Sequence, residues 1–144
     1  MHLIIEGRDG DARKLQDLTL VYDLLERFPD EIGMTKITPP IVRRYVGTKP
    51  EDWGISGFVM IAESHISVHT FPEKGEVSID VFSCKEFDGE QAVDLMRVAF
   101  DLGDIEAVVL RRGLEYSRDI RMLPETTSEA YLGQREVADL LGVR

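Results

Sequence analysis

The chain has 144 residues, 43% hydrophobic and 31% charged, enough for one soluble globular domain with a real core. Its formal net charge of -10 argues against a general nucleic-acid binder, and no apolar run approaches the length of a membrane span. A single cysteine excludes an internal disulfide framework and fits a reducing cytoplasm, and the opening Met1-His2-Leu3-Ile4-Ile5-Glu6 is not a signal peptide.

The apolar segment 1–6 predicts a strand, ended by Gly7-Arg8-Asp9-Gly10. Asp11 or Asp17 can cap the following helix, where Leu18, Val21, Tyr22, Leu25 and Phe28 recur at helical spacing; Pro29 and Gly33 mark its end. Segments 34–37 and 41–46 read as strand pieces broken by Pro39-Pro40. Residues 48–54 read as a loop and 55–62 as a strongly apolar strand. The clearest hairpin joins 66–70 to 76–83 through Pro72-Glu73-Lys74-Gly75. With Phe71 opposite Glu76, Val68 faces Ile79 and Ile66 faces Val81 on one apolar face. His65, Ser67 and His69 then share the other face with Ser78, Asp80 and Phe82. The same register sets Cys84 across from Glu63, beside Ser64, so the reactive groups are expected to converge at one end of the hairpin. Asp88 can cap a second helix with Ala92, Leu95, Met96, Ala99 and Phe100 as its buried stripe. Residues 105–110 read as a strand, 116–122 as another, and 129–141 as a terminal helix after Pro124. This order predicts the α+β class, with two helices covering one face of a mainly antiparallel sheet.

The run Ala62-Glu63-Ser64-His65-Ile66-Ser67-Val68-His69-Thr70-Phe71-Pro72-Glu73 carries the chemistry. One reading is a zinc site built from His65, His69, Cys84 and Glu63 or Asp80, although a ligand pair four apart suits a helix better than a strand. A second is a cysteine nucleophile with a histidine base. A third is self-processing: a serine hydroxyl attacks the preceding carbonyl, here that of Glu63, and turns the amide into an ester. Removal of the serine α-proton then expels the Glu63 carboxylate and leaves dehydroalanine, which water converts to a pyruvoyl group. That sequence needs a hydroxyl, an imidazole and oxyanion donors, and Ser64, His69 and Ser56 are of the right types. Against all three stands a solvated polar strand face with Cys84 as a small core residue. The residues alone leave these readings open.

Gly54-Ile55-Ser56-Gly57, the Glu63-Ser64-His65 block running to Thr70, Pro72-Glu73, and Asp80-Val81-Phe82-Ser83-Cys84 occur in an order that resembles the prokaryotic S-adenosylmethionine decarboxylases. His2-Leu3-Ile4 and Arg112-Gly113 are weaker matches, and the similarity covers residues 1–123, with 124–144 as a C-terminal extension. The resemblance implies a pyruvoyl-dependent enzyme of polyamine synthesis, making the aminopropyl donor for spermidine. It also implies a two-layer α/β sandwich that pairs into a homodimer with sites near the interface. Cleavage between Glu63 and Ser64 would leave one chain ending at Glu63 and another beginning with a pyruvoyl group from Ser64, which takes the substrate amine as a Schiff base. By position, His69 would be the processing acid/base, Ser56 its support, and Cys84 the proton donor in decarboxylation. No metal is implied.

The pocket matches less well. Relatives that bind S-adenosylmethionine hold adenine between two aromatic rings. Phe71 can be one, with Glu73 placed for the ribose hydroxyls; the other has no clear equivalent, Pro50 falling near its position and Trp53 being a substitute. A relative without the adenine clamp could instead decarboxylate L-ornithine or L-arginine, with Glu51, Asp52 or Glu73 pairing the distal cation. A non-catalytic, unprocessed paralogue is the third possibility, and retention of Ser64, His69 and Cys84 speaks against it.

Overall fold

The computed structural model describes residues 1–111 and 120–122. Its elements are β1 (His2–Arg8), α1 (Ala12–Leu15), α2 (Leu18–Glu31), β2 (Ile41–Val46), β3 (Trp53–Ile61), β4 (Ser64–Phe71), a 3-10 turn at Pro72–Lys74, β5 (Glu76–Ser83), α3 (Gly89–Phe100), β6 (Asp104–Leu110) and β7 (Ile120–Met122). Among the described residues, seven strands form one sheet in the order β2-β3-β4-β5-β1-β6-β7, and every pairing is antiparallel.

Alternation decides which face is covered. β5 and β6 bury every second residue, so Val77, Ile79, Val81, Ile105, Ala107 and Val109 point one way. They meet Val21, Leu25 and Phe28 of α2 and Ala92, Met96 and Phe100 of α3 in a single core. A Cβ at Gly57 would run into Leu25 Cδ1 and Val21 Cγ1, so the missing side chain is what lets α2 lie close against β3. The result is the expected α+β, two-layer sandwich, with the second face of the sheet left open.

Several details differ from the sequence reading. Both candidate caps are used: Asp11 accepts from Arg13 and Lys14 N–H groups to start the short α1, and Asp17 accepts from Thr19 and Leu20 to start α2. Leu18 and Tyr22 fall outside the buried stripe. Pro29 does not end α2, which continues to Glu31. The helix closes through the Ile32 N–H on the Phe28 carbonyl and the Met34 N–H on the Pro29 carbonyl, and Gly33 follows in the left-handed region at φ 73°. Segment 34–37 makes only an isolated bridge, Lys36 to Ile61, rather than a strand. β3 begins earlier than expected, at Trp53, and β4 at Ser64. The terminal helix expected over 129–141, and the first residues of the strand expected over 116–122, lie outside the described residues.

Candidate active site

Ser64 opens β4 directly after the turn Ala62-Glu63, which links β3 to β4 with Ile61 paired to Ser64. Glu63 sits at φ 69°, a left-handed conformation that turns normally give to Gly or Asn and that costs an ordinary residue on the order of 1–2 kcal/mol. That energy is small against the barrier to breaking a peptide bond. What the turn supplies is placement, because it is held from both sides. Ala62 N–H donates to the Thr35 carbonyl at 2.7 Å and Ile37 N–H to the Met60 carbonyl at 3.0 Å, while Ser64 pairs with Ser83 of β5. Ser64 Oγ stands 3.5 Å from His65 Nδ1, a long contact. Ser83 is fully buried; its hydroxyl donates to the Met34 sulfur at 3.3 Å and accepts from the Lys85 N–H at 3.0 Å, which fixes the chain around Cys84. The Cys84 thiol is exposed, so it is not the core residue of the bland reading.

The hairpin has the expected register: Phe71 faces Glu76, Val68 faces Ile79 and Ile66 faces Val81. Yet this register separates the reactive groups instead of gathering them. Ser64 shares parity with the buried Ile66 and Val68, whereas His65, Ser67 and His69 are on the open face. Five residues of strand put Ser64 and His69 about 16 Å apart along β4. Glu63, Ser64 and Cys84 thus form one cluster at one end of β4. His69 belongs to a second cluster at the other end, its Nδ1 hydrogen-bonded to Ser56 Oγ at 3.0 Å across the β3–β4 pair. The candidate zinc ligands are dispersed for the same reason, and among the described residues no three or more such groups come together for a metal.

The Ser56–His69 pair lies in a cavity of about 460 Å³, within the size range of small-molecule sites. Tyr45, Trp53, Phe71 and Lys74 also line it, with Glu51 and Asp52 contributing acid. A Cβ at Gly54 would overlap the Thr70 carbonyl, so only glycine lets β3 lie this close to the end of β4 beside the cavity. Glu73 is not on the wall itself but accepts from Trp53 Nε1 at 3.0 Å. Sequence reasoning missed Tyr45 and Lys74. The pairing of Tyr45 with Gly54 would have exposed the first, but only once β2 was known to flank β3.

Between the two clusters the open face carries a polar strip. His2 Nε2 and Asp80 Oδ1 are 2.9 Å apart, and this hydrogen bond is the main reason Asp80 is held below the usual carboxylate range. Burial opposes the shift, while the charges of His2, His65 and His69 assist it. Glu6 is shifted the other way, chiefly by burial, against the stabilising bond donated by the Ser78 hydroxyl. His65 stacks on Phe58 with centroids 5.3 Å apart.

One antiparallel sheet covered on a single face by helices makes the chain a small two-layer α+β domain. The profile of the S-adenosylmethionine decarboxylase family matches residues 1–113, and the chain belongs to that family. It is 49% identical over 115 residues to the S-adenosylmethionine decarboxylase proenzyme of Pyrococcus furiosus, covering 79% of this chain and 78% of that one. It is 32% identical over 123 residues to the proenzyme of Syntrophomonas wolfei, covering 85% and 93%. The fold matches the crystal structure of the adenosylmethionine decarboxylase from Aquifex aeolicus VF5 with a TM-score of 0.60 at 24% identity, over 92% of this chain and 95% of that one.

Proposed function

We propose that the chain is a proenzyme that cleaves itself between Glu63 and Ser64 and then decarboxylates S-adenosylmethionine. The observation that carries this is Ser64 following a left-handed Glu63 in a turn pinned on both sides, in a chain of this family. Ser64 Oγ reaches the Glu63 carbonyl carbon by closing a five-membered ring through its own Cβ, Cα and N, and the peptide nitrogen leaves as the ester forms. Proton removal from the Ser64 α-carbon releases the Glu63 carboxylate, and water then releases ammonia from the dehydroalanine, leaving the pyruvoyl group. Ser64 fits that group, being the first residue of β4 and only partly buried, so that a new chain end there has room. When formed, a pyruvoyl carbonyl provides the electron sink that decarboxylation of an amino acid requires. Cys84, exposed at the neighbouring chain position, gives the proton to carbon. In the cavity Phe71 and Trp53 stack the adenine, and Glu73 takes the ribose hydroxyls.

His69 cannot reach Ser64 of its own chain, and the open face supplies the reason this does not matter. Ile41 and Tyr45 are 59% and 60% exposed there, and Phe58 and Met60 39% and 44%, an apolar area that a second copy can cover. Two open faces stacked about a two-fold axis would bring His69 and Ser56 of the partner subunit to the end of β4 where the turn carries Ser64 and where Cys84 leaves β5, so that the partner side chains reach Ser64 at the rim of the covered face rather than across the open one. The working form is therefore a homodimer with composite sites.

Glu51 and Asp52 on the cavity wall favour a second reading, in which the substrate is L-ornithine or L-arginine. Intact mass of the purified protein, followed by carbon dioxide release from the three substrates side by side, tests both. Two fragments divided at Glu63-Ser64, with turnover of S-adenosylmethionine, are expected. Turnover of only a basic amino acid keeps the chemistry and changes the substrate. An uncleaved and inert chain, behaving as the Ser64→Ala variant should, overturns the catalytic reading.

A further inference from the structure

Trp53 is held from two directions. Its indole Nε1–H donates to Glu73 Oε1 at 3.0 Å, reaching from the start of β3 to the 3-10 turn after β4. The Arg44 guanidinium carbon lies 4.3 Å from the centre of the Trp53 ring, on the neighbouring strand β2, and Arg44 does not line the cavity. An indole with a cation against one face offers a ligand only the other face. An indole whose N–H is bonded also cannot turn without breaking that bond. The consequence falls on Glu73. A glutamate on an exposed turn samples many rotamers and would have to surrender that freedom on binding. The bond from Trp53 selects one orientation in advance, and Glu73 Oε2 makes no hydrogen bond among the described residues.

We propose that Trp53 is a positioning residue that aims the Glu73 carboxylate at the vicinal ribose hydroxyls of the substrate, with Arg44 steadying the indole from outside the cavity. This rests on the reading of the cavity as a nucleoside pocket. Its chemistry is selective: a carboxylate held in one orientation accepts from a cis diol, and an amino acid without a sugar gains nothing from it. Loss of the indole N–H should therefore weaken binding of the diol without touching chemistry at the carboxyl end.

The test uses full-length self-processed enzyme with Trp53→Phe, which keeps a ring but removes the N–H, alongside Glu73→Ala and the double variant. S-adenosylmethionine is compared with its 2′,3′-dideoxyribose analogue. The expected result is normal cleavage by intact mass and a KM for S-adenosylmethionine raised roughly tenfold in Trp53→Phe, with kcat changed less than about twofold, as loss of one charge-assisted hydrogen bond would produce. The KM for the dideoxy analogue, which keeps the adenine for stacking but offers no hydroxyls, should rise by a clearly smaller factor, and in the Glu73→Ala background Trp53→Phe should raise the two KM values by the same factor. Arg44→Met should move KM in the same direction by a smaller factor. Equal increases for both substrates, or full additivity in the double variant, would overturn the proposal and leave Trp53 as a stacking platform. A wild-type enzyme inert toward S-adenosylmethionine overturns the nucleoside reading and the proposal with it, and that is seen before any variant is compared.

Discussion

Cys84 follows β5 with its thiol in solvent, while the residue before it is fully buried and hydrogen-bonded to the residue after it. Truncating the thiol removes almost no packing, so Cys84→Ala should fold with an unchanged thermal midpoint and should cleave completely by mass. Turnover should fall at least about a hundredfold, the size of a lost general acid; full turnover would remove Cys84 from the reaction. Asp80 makes a prediction of a different kind. Its folded value lies below the unfolded one of about 3.9, because His2 donates to its carboxylate and nearby imidazoles add positive charge. The ionised Asp80 therefore stabilises the fold fully above about pH 4, and this contribution is lost as pH falls through the folded value. Glu6 behaves oppositely: burial raises its value, so it opposes folding once ionised and stops doing so as acid protonates it. Asp80→Asn should lower the thermal midpoint at neutral pH and flatten its decline below about pH 4. An unchanged acid limb would show that the His2–Asp80 bond carries no stability.

At the scale of elements, α2 is held to the sheet through Leu25, Val21 and the gap at Gly57. Leu25 is fully buried, so Leu25→Ala should cost about 2–5 kcal/mol in chemical denaturation. A cost below 1 kcal/mol would mean the helix repacks freely. The register of the β4–β5 hairpin was legible in the sequence, though not the first residues of β4, because apolar and polar positions alternate on both arms and one slip would bury His65 and Asp80. α3 was legible for a similar reason, its cap Asp88 and the buried Ala92, Met96 and Phe100 agreeing, although Val93 is buried unannounced and Leu95 and Ala99 are only partly covered. The ambiguous elements were those where local signals competed with packing. Pro29 lies in a helix already paired with the core through Phe28, so burial carries the chain on to Glu31. Residues 34–37 look like a strand but spend their backbone groups pinning the turn at Ala62, a use no periodicity announces. The candidate residues were legible by type, and their grouping was not. Alternation along β4 decides that Ser64 and His69 differ in face, and the length of the strand decides that they differ in place.

The division of the site between the two ends of β4 has a consequence for the whole molecule. If each site takes Ser64 and Cys84 from one subunit and Ser56 and His69 from the other, neither Ser64→Ala nor His69→Ala homodimers can process. A mixed dimer can. The His69→Ala chain brings an intact Ser64, the Ser64→Ala chain lends it His69, and the second site of the same dimer lacks both. Two differently tagged chains expressed together pair at random in a two-fold assembly, so half of the dimers are mixed and about a quarter of all sites are complete. Mass analysis should then show cleavage in the His69→Ala chain alone, and activity should return to about a quarter of the wild-type level. The Ser64→Ala chain should stay whole in every mixture. If His69 instead serves the serine of its own subunit through a rearrangement of β4, no mixture will recover any cleavage. The composite site then fails although the fold and the family stand. The apolar strip along Ile41, Tyr45, Phe58 and Met60 supplies an independent check on the same geometry. Phe58→Asp puts a charge in the middle of the stacked faces, where an unpaired ion is costly. It should yield folded monomers with both clusters intact and no cleavage, because the parts of each site no longer meet.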